Sequence, residues 1–368
     1  MYDYIIVGGG ISGLYCAIHL SNVLVLEETN SWGGKIKKHY HPKYEGATRF
    51  HKKHKLLWNL IKQFKLTPYR INQPLDSISE SEPVSIEDYL MKRIRINHIH
   101  SESSFYKKCV EVMGESDALH FVYALGYHEM YFLNAYDSLH SFSPDYCQEY
   151  YVLKEGMNEL CLRMVNVIKG KGTCLLNHPV KKITRTEGYV KVDGYEGKRV
   201  IITLPPPLFK RFPILSPYDS IAPTLVGPPL LRIYAKYPNP VWFESIDILC
   251  PRVLYMHDGI LLILYVKEED MIKFTYQGKL KREHELRVAL QDELTTLFPF
   301  LKIKIPPPLW IKPYLWEPGI HGWLRYPIET FPEIEKVFVC GDAFSTRYSW
   351  IEGALESAES ILHKIKSV

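Results

Sequence analysis

The stretch Tyr4-Ile5-Ile6-Val7-Gly8-Gly9-Gly10-Ile11-Ser12-Gly13 decides the fold. Four apolar residues run into a glycine turn, and Leu14-Tyr15-Cys16-Ala17-Ile18-His19-Leu20 continues with helical spacing. Strand, turn and helix in this order fit G-x-G-x-x-G. Gly8 suits a tight turn, Gly10 the close approach of a pyrophosphate, and Gly13 the packing of helix on strand. The N–H groups at Ile11 and Ser12, at the positive end of the helix, then face the phosphates. A second apolar run, Val23-Leu24-Val25-Leu26, ends at Glu27. That carboxylate falls about 20 residues past the first glycine, where an acid binds the ribose hydroxyls of a dinucleotide. Glu28 stands beside it, and the connection Ser21-Asn22 between helix and strand is brief.

Outward from this motif, the chain has 368 residues, 46% hydrophobic and 23% charged, with a net charge of +4. Those values suit a globular protein with a substantial core and argue against disorder. The basic residues are scattered, so nucleic acid is not an expected partner. Their densest cluster, His51-Lys52-Lys53-His54-Lys55, reads as the solvated face of a helix in preference to an anion site. Seven cysteines without a C-x-x-C pair suggest reduced thiols and no metal site. No secretory signal precedes the first strand and no apolar run reaches the roughly 18 residues of a membrane span. The expectation is a soluble, intracellular protein, with virion association left open.

Further segments separate a flavin dinucleotide from a nicotinamide one. They are Trp32-Gly33-Gly34-Lys35, Gly46-Ala47-Thr48-Arg49-Phe50, Val337-Phe338-Val339-Cys340-Gly341-Asp342, and Ser349-Trp350-Ile351-Glu352-Gly353-Ala354-Leu355-Glu356-Ser357. A strand ending at Gly341-Asp342 can set a carboxylate beside the ribityl or pyrophosphate part of FAD. The helix after Trp350, with donors from Ile351 onward, can stabilise negative charge on a reduced ring. The pattern resembles the flavin amine oxidase superfamily, which includes monoamine, polyamine and L-amino-acid oxidases. The end Trp350-Ile351-Glu352-Gly353-Ala354-Leu355-Glu356-Ser357 is also similar to amine oxidases encoded by large DNA viruses. Leu153-Lys154-Glu155-Gly156-Met157, Pro179-Val180-Lys181-Lys182-Ile183 and Val200-Ile201-Ile202-Thr203-Leu204-Pro205 extend the likeness, whereas residues 66 to 150 show little of it.

The resemblance implies an α/β protein. It would join a Rossmann-like FAD/NAD(P)-binding domain, built from residues 1–65, 150–206 and 326–368, to a mixed α+β substrate domain of residues 66–149 and 207–325. Within the latter, residues 83–139 read as helices, with caps at Ser85 and Ser116, and residues 228–265 as strands broken near Pro238 and Asp258. The resemblance also implies FAD contacts at Gly33, Gly34, Lys35, Gly46, Ala47, Thr48, Val180, Gly341, Asp342, Trp350, Ile351 and Ala354. Ile320 stands where covalently flavinylated members have Cys, which implies non-covalent FAD.

The reaction implied is hydride transfer from a C–N carbon to flavin N5. Imine hydrolysis follows, and molecular oxygen is reduced to hydrogen peroxide. Arg232 stands where relatives carry a Lys that holds water against N5; a register slip would make it a surface strand residue. His321 and Trp350 fall where monoamine oxidases use two Tyr as an aromatic cage, with hydrogen bonding and core packing as the plainer roles. Arg49 and Tyr265 match the pair that binds the substrate carboxylate in L-amino-acid oxidases. Alternatively, Arg49 pairs with an acid or the pyrophosphate, and Tyr265 is only a strand residue. The substrate is an L-amino acid or an amine, and a homodimer is compatible. Two rival readings remain. Arg232, Asp342 and Lys35 each depart from the family pattern, which would fit a fold that has lost turnover. A desaturase or protoporphyrinogen-type oxidase would share the nucleotide end.

Overall fold

Ile5, Ile6 and Val7 are fully buried because their strand, β1 (Tyr2–Val7), lies inside a parallel sheet. A strand covered on both faces needs a continuous apolar run, and β2 (Val23–Leu26) has one, buried at all four positions. The computed structural model describes residues 1–36, 46–71, 103–125, 128–142, 150–220, 224–238, 253–257, 259–266, 271–297, 304–319, 321–324 and 334–367. On one side of β1 come β2 and then the strand Gly172–Leu175, both parallel. On its other side runs Tyr195–Ile202, in register from Tyr2↔Gly197 to Val7↔Ile202. The far edge of Tyr195–Ile202 is shared: Val190–Val192 pairs antiparallel with its start, and Val337–Val339 parallel with its end. The glycine turn after β1 and the Gly341 turn after Val339 therefore emerge at the same end of one sheet.

The helix α1 (Ile11–His19) packs against Met157–Lys169 and the C-terminal helix Ile351–Ser367. Asn22, at φ 50°, takes the left-handed conformation that lets the three-residue connection Leu20-Ser21-Asn22 turn the chain back into β2. A second, antiparallel sheet has the order Val253–His257, Ile260–Val266, Leu230–Lys236, Trp310–Trp316, and the helix Glu283–Leu297 covers it through Leu286, Leu290 and Leu294. The expected breaks near residues 238 and 258 fall between these strands.

Three helices, Phe105–Met113, Glu115–Leu125 and Ala135–Phe142, occupy the described part of the region read as helical. Ser104 caps the first, accepting from Lys107 N. Ser116 does not cap the second, whose first residue is Glu115; the chain turns at Gly114 (φ 86°), leaving Ser116 inside the helix. Ser85 lies outside the described residues.

The cluster at residues 51–55 also differs from its sequence reading. Only Lys55 is helical, and both histidines are buried at 1% exposure, while Lys52 and Lys53 face solvent. A neutral imidazole is a compact ring that packs well against aromatics, and the formal basic count hid this. Cys16, Cys109, Cys161, Cys174 and Cys340 are free thiols; Cys147 and Cys250 lie outside the described residues. Among the described residues, no helix is long and apolar enough to cross a membrane, and no group of side chains is arranged to hold a metal ion.

Candidate active site

A cavity of about 520 Å³ opens where the glycine turn, the Gly33 and Gly46 turns and the Gly341 turn converge. Gly8 has φ +111°, strained for any side chain, and Thr203 Oγ1 donates to its carbonyl oxygen at 3.1 Å. A Cβ on Gly13 would stand 2.3 Å from Gly8 O and 3.1 Å from Ile6 Cγ2, so its place is beneath the turn, fixing helix to strand. A Cβ on Gly10 would meet nothing within 4 Å among the described residues, and Gly10 lines the cavity. Gly33 N donates to Gly9 O at 2.8 Å, and a Cβ on Gly46 would collide with Lys35 O. The second turn is thus packed onto the first and the third onto the second, at backbone distances that suit glycine.

Gly8, Gly10, Ile11 and Ser12 line the cavity, as do Glu27 and Glu28 at its nucleotide end. Glu27, 6% exposed, accepts from Gly9 N at 2.8 Å and from Thr29 N and Oγ1 at 2.9 and 2.7 Å. Gly33, Gly34 and Lys35 follow, then Gly46, Ala47 and Thr48, with Val180 opposite. Thr48 Oγ1 is 2.9 Å from the Tyr234 hydroxyl, tying this loop to the strand that carries Arg232. Gly341, Asp342, Trp350, Ile351 and Ala354 complete the wall. Ser357 on the C-terminal helix accepts from Gly341 N at 3.2 Å, holding that turn in place.

Asp342 joins a polar cluster that sequence reading did not foresee. His321 Nδ1 lies 3.1 Å from its Oδ2, and Lys35 Nζ lies 3.7 Å from the same oxygen and 3.4 Å from His321 Nδ1. Burial opposes ionisation of Asp342, but Lys35 and His321 outweigh it and hold the carboxyl below its ordinary range. Burial lowers the proton affinity of His321 against the pull of Asp342, with Lys35 adding to the lowering. His321 is 1% exposed, and its buried Nε2 has no hydrogen-bond partner among the described residues.

Trp350 and Tyr150 stack at 6.4 Å and 19°, and the Arg49 guanidinium lies over both rings, 4.9 Å from Tyr150 and 5.8 Å from Trp350. Behind Trp350, His54 and His51 meet its ring edge-on at 5.1 and 5.9 Å. His54 Nδ1 is buried with no hydrogen-bond partner among the described residues. Glu352 secures this arrangement by accepting from Leu56 N at 2.8 Å and Leu57 N at 3.0 Å, capping the helix Lys55–Gln63 from the C-terminal helix. Arg232, 9% exposed, lines the same cavity as Arg49, His321 and Trp350. The backbone of Tyr265 belongs to the strand Ile260–Val266; its side chain and all of Ile320 lie outside the described residues.

Sequence reading missed Glu129, which also lines the cavity. It lies in the region where the resemblance fades, and its one signal is a carboxylate beside the run Met130-Tyr131-Phe132-Leu133. It missed the buried His51–His54 pair as well, because i, i+3 histidines among lysines carry no motif.

Comparison with known proteins agrees with this geometry. A model described as NAD(P)-binding Rossmann-like domain matches residues 6–64. No curated protein matches by sequence. Among solved structures, a putrescine oxidase bound to putrescine superposes with a TM-score of 0.76 at 16% identity, covering 100% of this chain and 99% of that one. Cyclohexylamine oxidase from Brevibacterium oxydans superposes with a TM-score of 0.74 at 16% identity, covering 99% of each. At such identity these two establish the fold. The family model described as flavin containing amine oxidoreductase matches residues 118–360, more than half of the chain and including the wall from Glu129 through Arg232 and His321 to Trp350. The protein is therefore a member of the flavin-containing amine oxidoreductase family, with FAD as its cofactor.

Proposed function

We propose that this chain is an FAD-dependent oxidase of C–N bonds, acting on an L-amino acid or a small amine and passing electrons to oxygen with release of hydrogen peroxide. The observation that carries the reading is Arg49, stacked over Tyr150 and Trp350 on the wall of the cavity that Gly10 and Asp342 also line. Bound FAD supplies the hydride acceptor. Gly10 leaves open space for a pyrophosphate, and Glu27 offers a carboxylate at the ribose end. Trp350, with Tyr150 stacked on it, gives an apolar, water-excluding wall against which an amine can sit. Arg49 and Arg232 are the cations for a substrate carboxylate, and a guanidinium clamps such a group with two parallel bonds. Neutral His321 and ionised Asp342 keep their charges fixed beside Lys35, which leaves proton traffic to the substrate side.

The division into an FAD domain and a substrate domain belongs to the same proposal. The apolar cluster joining Ile6, Leu57, Leu160 and Leu355, separate from the one joining Leu231, Leu261 and Leu290, supports it. Non-covalent FAD in a soluble protein is likewise proposed. The test is anaerobic mixing of the yellow holoprotein with L-amino acids, monoamines and polyamines, followed by peroxide release in air. Arg49→Gln should raise KM for an amino acid by about ten-fold or more, with little effect on the corresponding decarboxylated amine. Equal losses on both would argue that Arg49 serves the cofactor, and no bleaching by any substrate would remove the oxidase reading.

A further inference from the structure

Two thiols from opposite ends of the chain meet beside the cavity, and the steps proposed above make no use of them. Cys16 lies in α1, which follows the glycine turn, and Cys340 directly precedes Gly341. Their sulfurs are 4.0 Å apart and both side chains are fully buried. Cys16 Sγ also donates to Ala358 O at 3.9 Å, so the contact sits where α1, the helix Ile351–Ser367 and the Gly341 turn come together. Among the described residues these are the only two thiols in contact.

A disulfide holds its sulfurs about 2 Å apart, so this pair has to close by about 2 Å. Leu14, Ala17 and Leu20 pack α1 into the core, which leaves it little freedom. The Gly341 turn has more room. Val337–Val339 is a three-residue strand paired on one side among the described residues, and none of their atoms lies within 4 Å of the point where a Cβ on Gly341 would stand. The Cys340 contact and burial push the Cys16 thiol above its ordinary range. Thiolate is the reactive form and is scarce there, so oxidation is slow and calls for a small, uncharged oxidant. We propose that Cys16 and Cys340 are an oxidation site, at which hydrogen peroxide closes an internal disulfide that fastens the two ends of the chain around the cofactor cavity. One thiolate attacks the peroxide: an S–O bond forms, the O–O bond breaks, and the departing hydroxide takes up the thiol proton as water. The second sulfur then displaces the sulfenic oxygen, an S–S bond forms, and a second water carries away the remaining proton. Two thiols lose two electrons and one peroxide becomes two waters. The oxidase reading enters only as the source of the peroxide.

In the experiment, holoprotein purified with reductant is freed of it, exposed to added hydrogen peroxide, unfolded in iodoacetamide and mapped by mass spectrometry. The expected product has lost two hydrogens and yields a peptide pair joining Cys16 to Cys340, which reductant separates. The temperature at which flavin fluorescence appears on heating should rise by about 3–6 °C. Dithiothreitol should reverse that rise, and Cys16→Ala and Cys340→Ala should lack it. Recovery of both cysteines as alkylated thiols, or as separate sulfinic or sulfonic acids, would overturn the proposal. So would a cross-link that leaves the temperature of flavin release unchanged. The wild-type map decides the matter even where an alanine variant fails to fold. A cross-link formed by added peroxide, in a protein that no amine or amino acid bleaches, would keep the pair and remove the oxidase reading. Turnover that releases peroxide, in a protein whose two thiols survive added peroxide, would do the reverse.

Discussion

The buried histidine pair behind Trp350 makes stability depend on pH in a way that a single substitution isolates. Burial lowers the His54 proton affinity from the ordinary 6.5 to about 2, and that of His51 to about 4 with help from Lys53, Arg347 and Arg49. The unfolded chain protonates these rings near 6.5 and the folded chain does not. The stability they contribute is therefore complete above pH 6.5 and is lost as pH falls from there toward the folded values. At pH 5 the loss from His54 spans 1.5 pH units, or about 2 kcal/mol at about 1.4 kcal/mol per unit. Glu129 and Asp137, both raised to about 7 by burial, act with the opposite sign and gain stability as pH falls, so the wild-type profile alone is uninformative. The informative quantity is the difference between wild type and His54→Gln, which cannot titrate. Between pH 7 and pH 5 the wild type should lose about 2 kcal/mol relative to the variant, on the order of 3 °C in melting temperature for a chain of this size. Melting curves recorded at half-unit steps would show the two lines converging or crossing as pH falls. Parallel lines would mean that His54 is solvated or already charged in the folded protein, and would refute its placement against Trp350.

Other substitutions probe separate contacts. Gly13→Ala sets a methyl 2.3 Å from Gly8 O, which should cost about 1–3 kcal/mol and lower the flavin content of purified protein, read from the absorbance ratio of flavin to protein. Glu352→Ala leaves Leu56 N and Leu57 N without their acceptor, about 1–3 kcal/mol for each group that stays dry; a melting temperature unchanged from wild type would contradict the capping contact. Arg232→Lys exchanges a rigid planar cation for a compact one at the position where the sequence resemblance implies a lysine in relatives. A faster reoxidation of reduced protein by oxygen, followed by stopped flow, is the expected result if Arg232 limits that step.

The nucleotide half of the fold was legible because its signals are local. A strand buried on both faces must be continuously apolar, as Val23-Leu24-Val25-Leu26 is, and a turn with φ +111° must be glycine, as Gly8 is. The family resemblance, not local pattern, named Gly33, Gly34, Lys35, Gly46, Ala47, Thr48, Gly341 and Asp342; these line the cavity, as do Ile36, Ala343 and Phe344, which it passed over. Sequence reading failed where a role depends on partners distant in sequence. Nothing near Lys35 or His321 announces that both meet Asp342, and nothing near Leu56 announces a cap supplied by Glu352, 296 residues away. Charge counting also misread residues 51–55, because two histidines counted as basic are neutral rings in an aromatic stack.

Why the two ends of the chain must act together follows from the sheet. Tyr195–Ile202 is flanked by β1 on one edge and by Val337–Val339 on the other, so the turns at Gly8 and Gly341 lie one strand apart on either side of Thr203. The C-terminal helix contacts both: α1, which follows the Gly8 turn, packs on Ile351–Ser367, and Ser357 of the latter holds Gly341 N. A dinucleotide that touches both turns binds only when this pairing is complete. By mass action it stabilises the paired state by about 2.7 kcal/mol at a hundred-fold excess over its dissociation constant. Because Trp350 and Glu352 begin the same C-terminal helix that contacts Gly341, that stabilisation reaches the aromatic wall and, through Leu56 and Leu57, the loop that carries Arg49. Cofactor binding and the order of the substrate pocket are thus coupled through one helix, and weakening either contact of that helix should loosen both.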